Sequence, residues 1–303
     1  MDRPLHLVDV FARERYAGNQ LAVVTDAADL SDEEMQAFAA EIGFSETTYV
    51  ETDAENGPQP DGTWPVRIFT PEAEIPFAGH PTLGTAQVIR EHLADGRPDQ
   101  VVLDLDVGEV PVAVRDRDDG GETLWMTQQP PAFGDELAHD DLADVLGLDP
   151  TDLDREYPVA VVSTGLPTII VPLADRAALE AIDVDRAAYD AVTGDRDAKN
   201  VLAVCPEPRD DANDFAVRVF APYYGVPEDP ATGSSNGCLA AYLVRHGLDD
   251  RDATDDLDVR VEQGYEMGRP SLVHLRARET ADSEGITVEV GGAVRAVARG
   301  TLL

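Results

Sequence analysis

Two short stretches of this 303-residue chain hold the residue types that anion binding and acid–base chemistry need. Ala78-Gly79-His80-Pro81-Thr82 and Ala231-Thr232-Gly233-Ser234-Ser235 each lead into a segment that reads as a helix. The first N–H groups of a helix have no partner inside it, and the helix dipole adds partial positive charge there. With little side-chain bulk in the way, such a start takes an anion, contributing about 0.3–1 kcal/mol when exposed and ~2 kcal/mol when partly buried. Two starts facing one cleft would hold a carboxylate. For either loop alone, the competing assignment is that Gly, Thr and Ser serve only as caps.

Glu46 lies in Phe44-Ser45-Glu46-Thr47-Thr48-Tyr49-Val50, where strand alternation puts it on the face of Phe44, Thr48 and Val50. A carboxylate on an apolar face loses hydration, so its pKa is expected to rise toward the range useful for proton transfer. An edge position pointing to solvent is the alternative. His80 can donate to a ligand or tune a neighbouring acid, although a capping or core imidazole is the commoner fate of a lone histidine. Asp229 stands before Pro230 at the second helix entrance, where an acid is also a routine turn residue.

The elements that must position these residues occur twice. Val66-Arg67-Ile68-Phe69 with Pro71 and Pro76 recurs, at one constant shift along the chain, as Val217-Arg218-Val219-Phe220 with Pro222 and Pro227. After a slip of three residues the match continues through Gly79 and Gly233, His80 and Ser234, Ala86 and Ala240, Ile89 and Leu243, and His92 and His246. Solenoid units run to about 20–50 residues, far shorter than this repeat. The pattern predicts a duplicated domain, with two similar halves face to face.

Strand signals run from Leu5–Phe11 and Leu21–Thr25, around a Gly18-Asn19 turn, through Phe44–Val50 and Val66–Phe69 to Ala293–Ala298. Ser31 and Glu34 form a capping box ahead of Met35, Phe38, Ala39 and Ile42, with Gly43 as the stop. Two further helices stand apart: Pro81 to about Ala94, with Pro at the favoured first position, and about Ser235 to His246, stopped by Gly247. Their early turns carry almost no charge, which predicts burial on every side. Turns such as Asp119-Gly120-Gly121 and Val290-Gly291-Gly292 point to antiparallel pairing. The predicted fold class is α+β: two similar domains, each a curved antiparallel sheet wrapped around a central helix. The seam falls in Gln129-Pro130-Pro131, giving a first domain of residues 1–128 and a second of residues 129–291.

Composition narrows the partners. Asp and Glu number 60 against 23 Lys and Arg, a formal charge of −37, and Lys199 is the single lysine. Such a field repels phosphate backbones and anionic lipid, so neither nucleic acid nor a membrane surface is expected as a partner. The acids are spread over the whole chain, which predicts an acidic surface suited to high salt and hence a halophilic source. Cys205 and Cys238 sit in apolar surroundings and form no disulfide or zinc pattern. Met1-Asp2-Arg3-Pro4 runs straight into a strand-like segment without a signal sequence. The longest apolar stretch, Val159 to Ala174, is broken by Gly165, Pro167 and Pro172, so it is no membrane span. A soluble, cytoplasmic protein is expected.

Phe44-Ser45-Glu46-Thr47, Pro76-Phe77-Ala78-Gly79-His80-Pro81-Thr82, Glu228-Asp229-Pro230-Ala231-Thr232-Gly233-Ser234, and Gln263-Gly264 followed by Met267-Gly268-Arg269-Pro270-Ser271 together resemble the PhzF family of phenazine biosynthesis. The resemblance spans nearly the whole chain with the motifs in order. It implies the diaminopimelate epimerase-like fold, with a final strand (residues 292–303) returning to the first domain, a site between the domains, and a homodimer. It also implies roles: Glu46 as the proton-transferring acid/base, His80, Asp229 and Ser234 as catalytic partners that position substrate and acid, and Gly79 and Gly233 as backbone donors to the substrate. The family's best-known reaction isomerises a dihydro-hydroxyanthranilate by moving a hydrogen, with no metal and no organic cofactor. Ser235-Asn236 departs from the small apolar residue that usually follows the second glycine. The residues leave two other readings open: an amino-acid epimerase or racemase, which on this fold would place paired cysteines where Ala78 and Thr232 stand, and a non-catalytic metabolite-binding protein.

Overall fold

The computed structural model describes residues 3–52, 57–59, 61–117, 120–248, 256–279 and 285–303. The chain divides into two compact units, Met1–Met126 with Gly291–Leu303, and Thr127–Val290. Asp119, in one of the expected turns, falls outside the described residues.

The first unit contains β1 (Arg3–Val10), β2 (Asn19–Val24), α1 (Asp32–Ile42), β3 (Thr47–Val50), β4 (Trp64–Phe69), β5 (Glu74–Ile75), α2 (Gly79–His92), β6 (Gln100–Leu105), β7 (Gly108–Asp116) and β8 (Glu122–Thr127). The closing strand Val294–Leu302 pairs antiparallel with β1, which pairs in turn with β2. β2 and β3 run parallel because α1 crosses between them, and β4 joins β6 in parallel as well. α2 packs against β1, β2, β3, β6, β7 and the closing strand, and every residue from Gly79 to Arg90 is buried. The fit is close: a Cβ on Gly84 would meet Leu21 at 2.5 Å and Val10 at 2.8 Å. Alternation along β3 separates two layers. The Thr48 hydroxyl bonds that of Thr85 on α2 at 2.7 Å, while its neighbour Tyr49 packs with Met35 and Ala39 of α1. The capping box of α1 is formed as expected, and Gly43 closes the helix at φ 66°.

The second unit repeats this plan with more helix. It contains β9 (Ala132–Leu137), α3 (His139–Leu146), β10 (Val159–Ser163), β11 (Pro167–Pro172), α4 (Arg176–Ala181), α5 (Arg186–Thr193), β12 (Asn200–Cys205), β13 (Phe215–Ala221), β14 (Val226–Asp229), α6 (Gly233–His246), β15 (Leu257–Gln263), β16 (Ser271–Glu279) and β17 (Ile286–Gly292). α6 packs on β10, β11, β15 and β16. Leu142, Leu146, Leu179 and Tyr189 of α3–α5 share a core with Ile169, Val171, Val201, Ala203 and Phe220 of the sheet. No helix among the described residues is long and apolar enough to cross a membrane.

Several expectations need correction. The sheets are mixed: besides the two parallel joins above, β11 pairs parallel with β12 and β13 with β15. The β11–β12 join requires a crossover, supplied by α4 and α5, and these short helices carry no long apolar period for sequence to reveal. Their signal is local: the Asp175 and Asp185 side chains cap them by accepting from the N–H groups of Ala178 and Ala188. β3 starts at Thr47, because Phe44 and Ser45 form a bend. α2 starts at Gly79 and α6 at Gly233, so Pro81 is the third residue of its helix.

The duplication also aligns differently. Arg67 forks onto Glu74 (2.7 and 2.8 Å) and lies over the Phe69 ring, and Arg218 forks onto Glu228 (both 2.8 Å) over Phe220. Ile68 pairs with Ile75 as Val219 pairs with Asp229. The slip therefore comes earlier, at the turn Pro222–Tyr224, and the partner of Pro76 is Pro230 and not Pro227.

Candidate active site

Glu46 is the last residue before β3, and His80 is the second residue of α2. The fold brings them together: His80 Nε2 stands 3.4 Å from Glu46 Oε2, with side chains 6% and 17% exposed. Burial pushes the imidazole down to about 3, against a hydrogen bond with the Gln20 backbone that favours its proton. Nε2 has no hydrogen-bond partner, so the bond to the Gln20 carbonyl falls to Nδ1. At neutral pH the ring is therefore neutral, and Nε2 presents a lone pair to the Glu46 carboxyl. The helix start beside them is open: Ala78 makes no side-chain cap, leaving the N–H groups of Gly79 and His80 without an intrahelical acceptor.

The second copy builds a different set of side chains on the same frame. Gly233 and Ser234 are the first two residues of α6, and Thr232 caps nothing with its side chain. Its hydroxyl donates instead to Asp229 Oδ2 at 2.5 Å. Ser235, the third residue, is fully buried and bonded to Thr168 at 3.0 Å and to the Asn200 amide at 3.1 Å. Asn236 points its amide at Gln263 Oε1, 2.8 Å away. The departure Ser235-Asn236 thus puts buried hydrogen-bonded polar groups under the helix start, with the amide oxygens of Asn200 and Asn236 left unpartnered.

Each predicted residue is accounted for within its own unit: Glu46, His80 and Gly79 in the first, Asp229, Gly233 and Ser234 in the second. Sequence reasoning gave Thr232 and Gln263 no role of their own, yet both bond to the Asp229 segment. The thiols that an epimerase would need are not at the helix starts. Cys238 is the sixth residue of α6, and burial pushes its thiol up. Among the described residues no group of three or more His, Cys, Asp or Glu could hold a metal ion. A cavity of about 520 Å³ lined by His6, Gln87, His92, Arg295 and Arg299 shares no residue with either set.

Comparison with known proteins shows the family and the fold. The chain is 37% identical over 302 residues to trans-2,3-dihydro-3-hydroxyanthranilate isomerase of Pseudomonas aeruginosa, covering 97% of each chain. It is 35% identical to the enzyme of the same name from Pseudomonas chlororaphis, covering 98% of each. The structure of a PhzF-family phenazine biosynthesis protein from Bacillus anthracis superposes with a TM-score of 0.90 at 27% identity, over 100% of this chain and 99% of that one. A hydroxyproline epimerase from Agrobacterium vitis shares the fold alone, at TM-score 0.59 and 10% identity over 99% and 92% of the chains. The phenazine biosynthesis-like family PhzC-PhzF matches residues 8–300, and the chain belongs to it as an isomerase on an α+β, diaminopimelate epimerase-like fold.

Proposed function

We propose that this isomerase works without a cofactor, moving one proton on a small cyclic metabolite that bears a carboxylate. The first candidate is trans-2,3-dihydro-3-hydroxyanthranilate, the compound in its relatives' names. Ionised Glu46 takes a proton from a ring carbon, and the electron pair moves into the conjugated system toward the carboxylate. Protonated Glu46 then returns the proton at another carbon, so atoms and charge balance with no outside reactant. The N–H groups at Gly79 and Gly233 and the Ser234 hydroxyl hold the developing charge, as preorganised dipoles do. Neutral His80 accepts a hydrogen bond from the protonated carboxyl, and Asp229 positions the substrate.

The observation that carries this reading is the Glu46–His80 pair, 3.4 Å apart at an uncapped helix start. The reading takes the chain as two similar domains, residues 1–128 with 292–303 and residues 129–291, each contributing one helix start to substrate binding. It adds a cytoplasmic homodimer and an acidic surface adapted to a salt-rich interior.

The test is turnover of that compound by the purified protein in molar KCl. Glu46→Gln keeps the shape and loses the basicity, so turnover should fall by about 10²–10⁴ or more while the compound still binds. Turnover of the variant near the wild-type rate would remove Glu46 from the mechanism.

A further inference from the structure

Gln263-Gly264 and Arg269-Pro270-Ser271 have a place in the sequence pattern but no function so far. They flank the turn between β15 and β16, where Gln263 and Ser271 stand opposite each other in register. Both ends grip the segment that carries Asp229. Gln263 Nε2 donates to the Asp229 carbonyl at 2.8 Å and to Thr232 Oγ1 at 3.1 Å. Its Oε1 accepts from the Thr232 N–H at 3.2 Å and from Asn236 Nδ2 at 2.8 Å. The Ser271 hydroxyl donates to the Pro230 carbonyl at 2.7 Å. Gly264 has φ 76°, and a Cβ there would stand 2.5 Å from the carbonyl oxygens of both Pro230 and Arg269. Gln263, Asn236 and Ser271 are at most 2% exposed.

The polarity of these bonds matters more than their number. Two donors, the Thr232 N–H and the Asn236 amide, converge on one end of the Gln263 side chain, so that end must be its oxygen. The opposite end is then an NH₂ group, and it occupies a lone pair of the Thr232 hydroxyl. A hydroxyl has one proton to give, and the remaining acceptor within reach is Asp229 Oδ2 at 2.5 Å. Hydrogen bonds to an ionised carboxylate are about twice as strong as neutral ones and fix its direction.

We propose that Gln263, oriented by Asn236, is a positioning residue that commits the Thr232 hydroxyl proton to Asp229, while Gly264 and Ser271 lock the backbone at Pro230. It rests on the reading above that Asp229 belongs to the substrate site. Asn236 then has a purpose: its amide adds a second donor to the Thr232 N–H in holding the Gln263 oxygen, and hence the NH₂ end, in place. Gln263→Glu offers no N–H and competes for the same hydroxyl proton. Thr232→Val removes that proton at constant shape, and Thr232→Ser restores it.

The experiment reads Asp229 itself and needs no substrate. Full-length protein labelled with [¹³C]aspartate gives a carboxyl signal assigned by its loss in Asp229→Asn, and its titration midpoint is followed with pH. The midpoint should move up in Thr232→Val and Gln263→Glu and return to the wild-type position in Thr232→Ser. An unmoved midpoint in Thr232→Val, the gentlest of these changes, overturns the proposal whether or not Gln263→Glu folds. Turnover is scored separately. A protein that shows the displaced midpoint but never isomerises trans-2,3-dihydro-3-hydroxyanthranilate loses the substrate assignment and keeps this one.

Discussion

Glu46 and Asn200 hold the same position in the two copies of the duplicated sheet. Thr47 pairs with Phe69 and Val201 with Phe220, so Glu46 and Asn200 each directly precede the residue opposite the repeated phenylalanine. By the same registers, Ile75 corresponds to Asp229. The duplication has kept its frame and broken its chemistry: the strand position that carries an acid in one copy carries an amide in the other. A buried amide neither takes nor gives a proton near neutral pH. One carboxylate therefore moves the proton in the proposed reaction, where a symmetric pair of bases would exchange it between two faces.

This asymmetry predicts the fate of the migrating hydrogen. Glu46 Oε2 and His80 Nε2 are both closed off from water. A proton lifted onto that carboxyl should return to substrate faster than it exchanges. In deuterated water, less than half of the first-turnover product should carry deuterium at the new position, measured by mass spectrometry. Near-complete incorporation would mean that the site is wet or that a second group delivers the proton.

The sequence made the framework legible where the physics is local. Ser31 and Glu34 form their capping box from four residues of context, and the uncharged turns of α2 and α6 predicted burial that the structure contains. Features set by tertiary contact stayed hidden. The parallel joins depend on which strands a crossover brings together, and the six- and eight-residue helices α4 and α5 are too short to show a period. Pro227 lined up with Pro76 because proline recurs in turns, and only the Arg67–Glu74 and Arg218–Glu228 forks identify Pro230 as its counterpart. Glu46 and His80 could be named from their motifs. Their contact could not, since it depends on the bend at Phe44-Ser45 and on α2 starting two residues early.

Those two forks should differ sharply in worth. Arg218 is 10% and Glu228 17% exposed, and the guanidinium also donates to the carbonyls of Leu179 and Ile182 at 3.1 Å. Arg67 is 21% exposed, and its partners Glu74 and Asp32 are 44% and 81% exposed. Removing one member of a buried pair strands the other charge and costs about 3–5 kcal/mol, whereas exposed pairs contribute about 0–1 kcal/mol. Arg218→Met should therefore lower unfolding free energy several-fold more than Arg67→Met in denaturant titrations. Equal losses would show that the forks matter for duplication history and not for stability.

The charge of −37 predicts a strong response to salt. Screening contracts the Debye length from about 10 Å at 0.1 M to about 3 Å at 1 M, which removes most repulsion between exposed carboxylates. Thermal midpoints should climb from 0.05 M to 2 M KCl, and by more than for a relative of ordinary charge. A flat profile would detach the acidic surface from salt adaptation.

His6 supplies an acid-sensitive element away from the candidate site. It is 3% exposed, its ring stacks on His92 at 4.7 Å, and the neighbouring Arg299 opposes a second positive charge. Burial, then His92 and Arg299, push its pKa down to about 4 from an ordinary 6.5. Between those values the unfolded chain binds a proton that the folded chain refuses, so stability is complete above pH 6.5 and declines as pH falls toward 4. His80, also held low by burial, acts in the same direction. His6→Gln cannot take that proton in either state. Its unfolding free energy should fall less between pH 7 and pH 5 than that of the wild type, before most carboxylates begin to titrate. Parallel curves over that interval would show that His6 is protonated alike in both states, and would move the origin of any acid sensitivity to His80, His92 and His246, which burial also holds low.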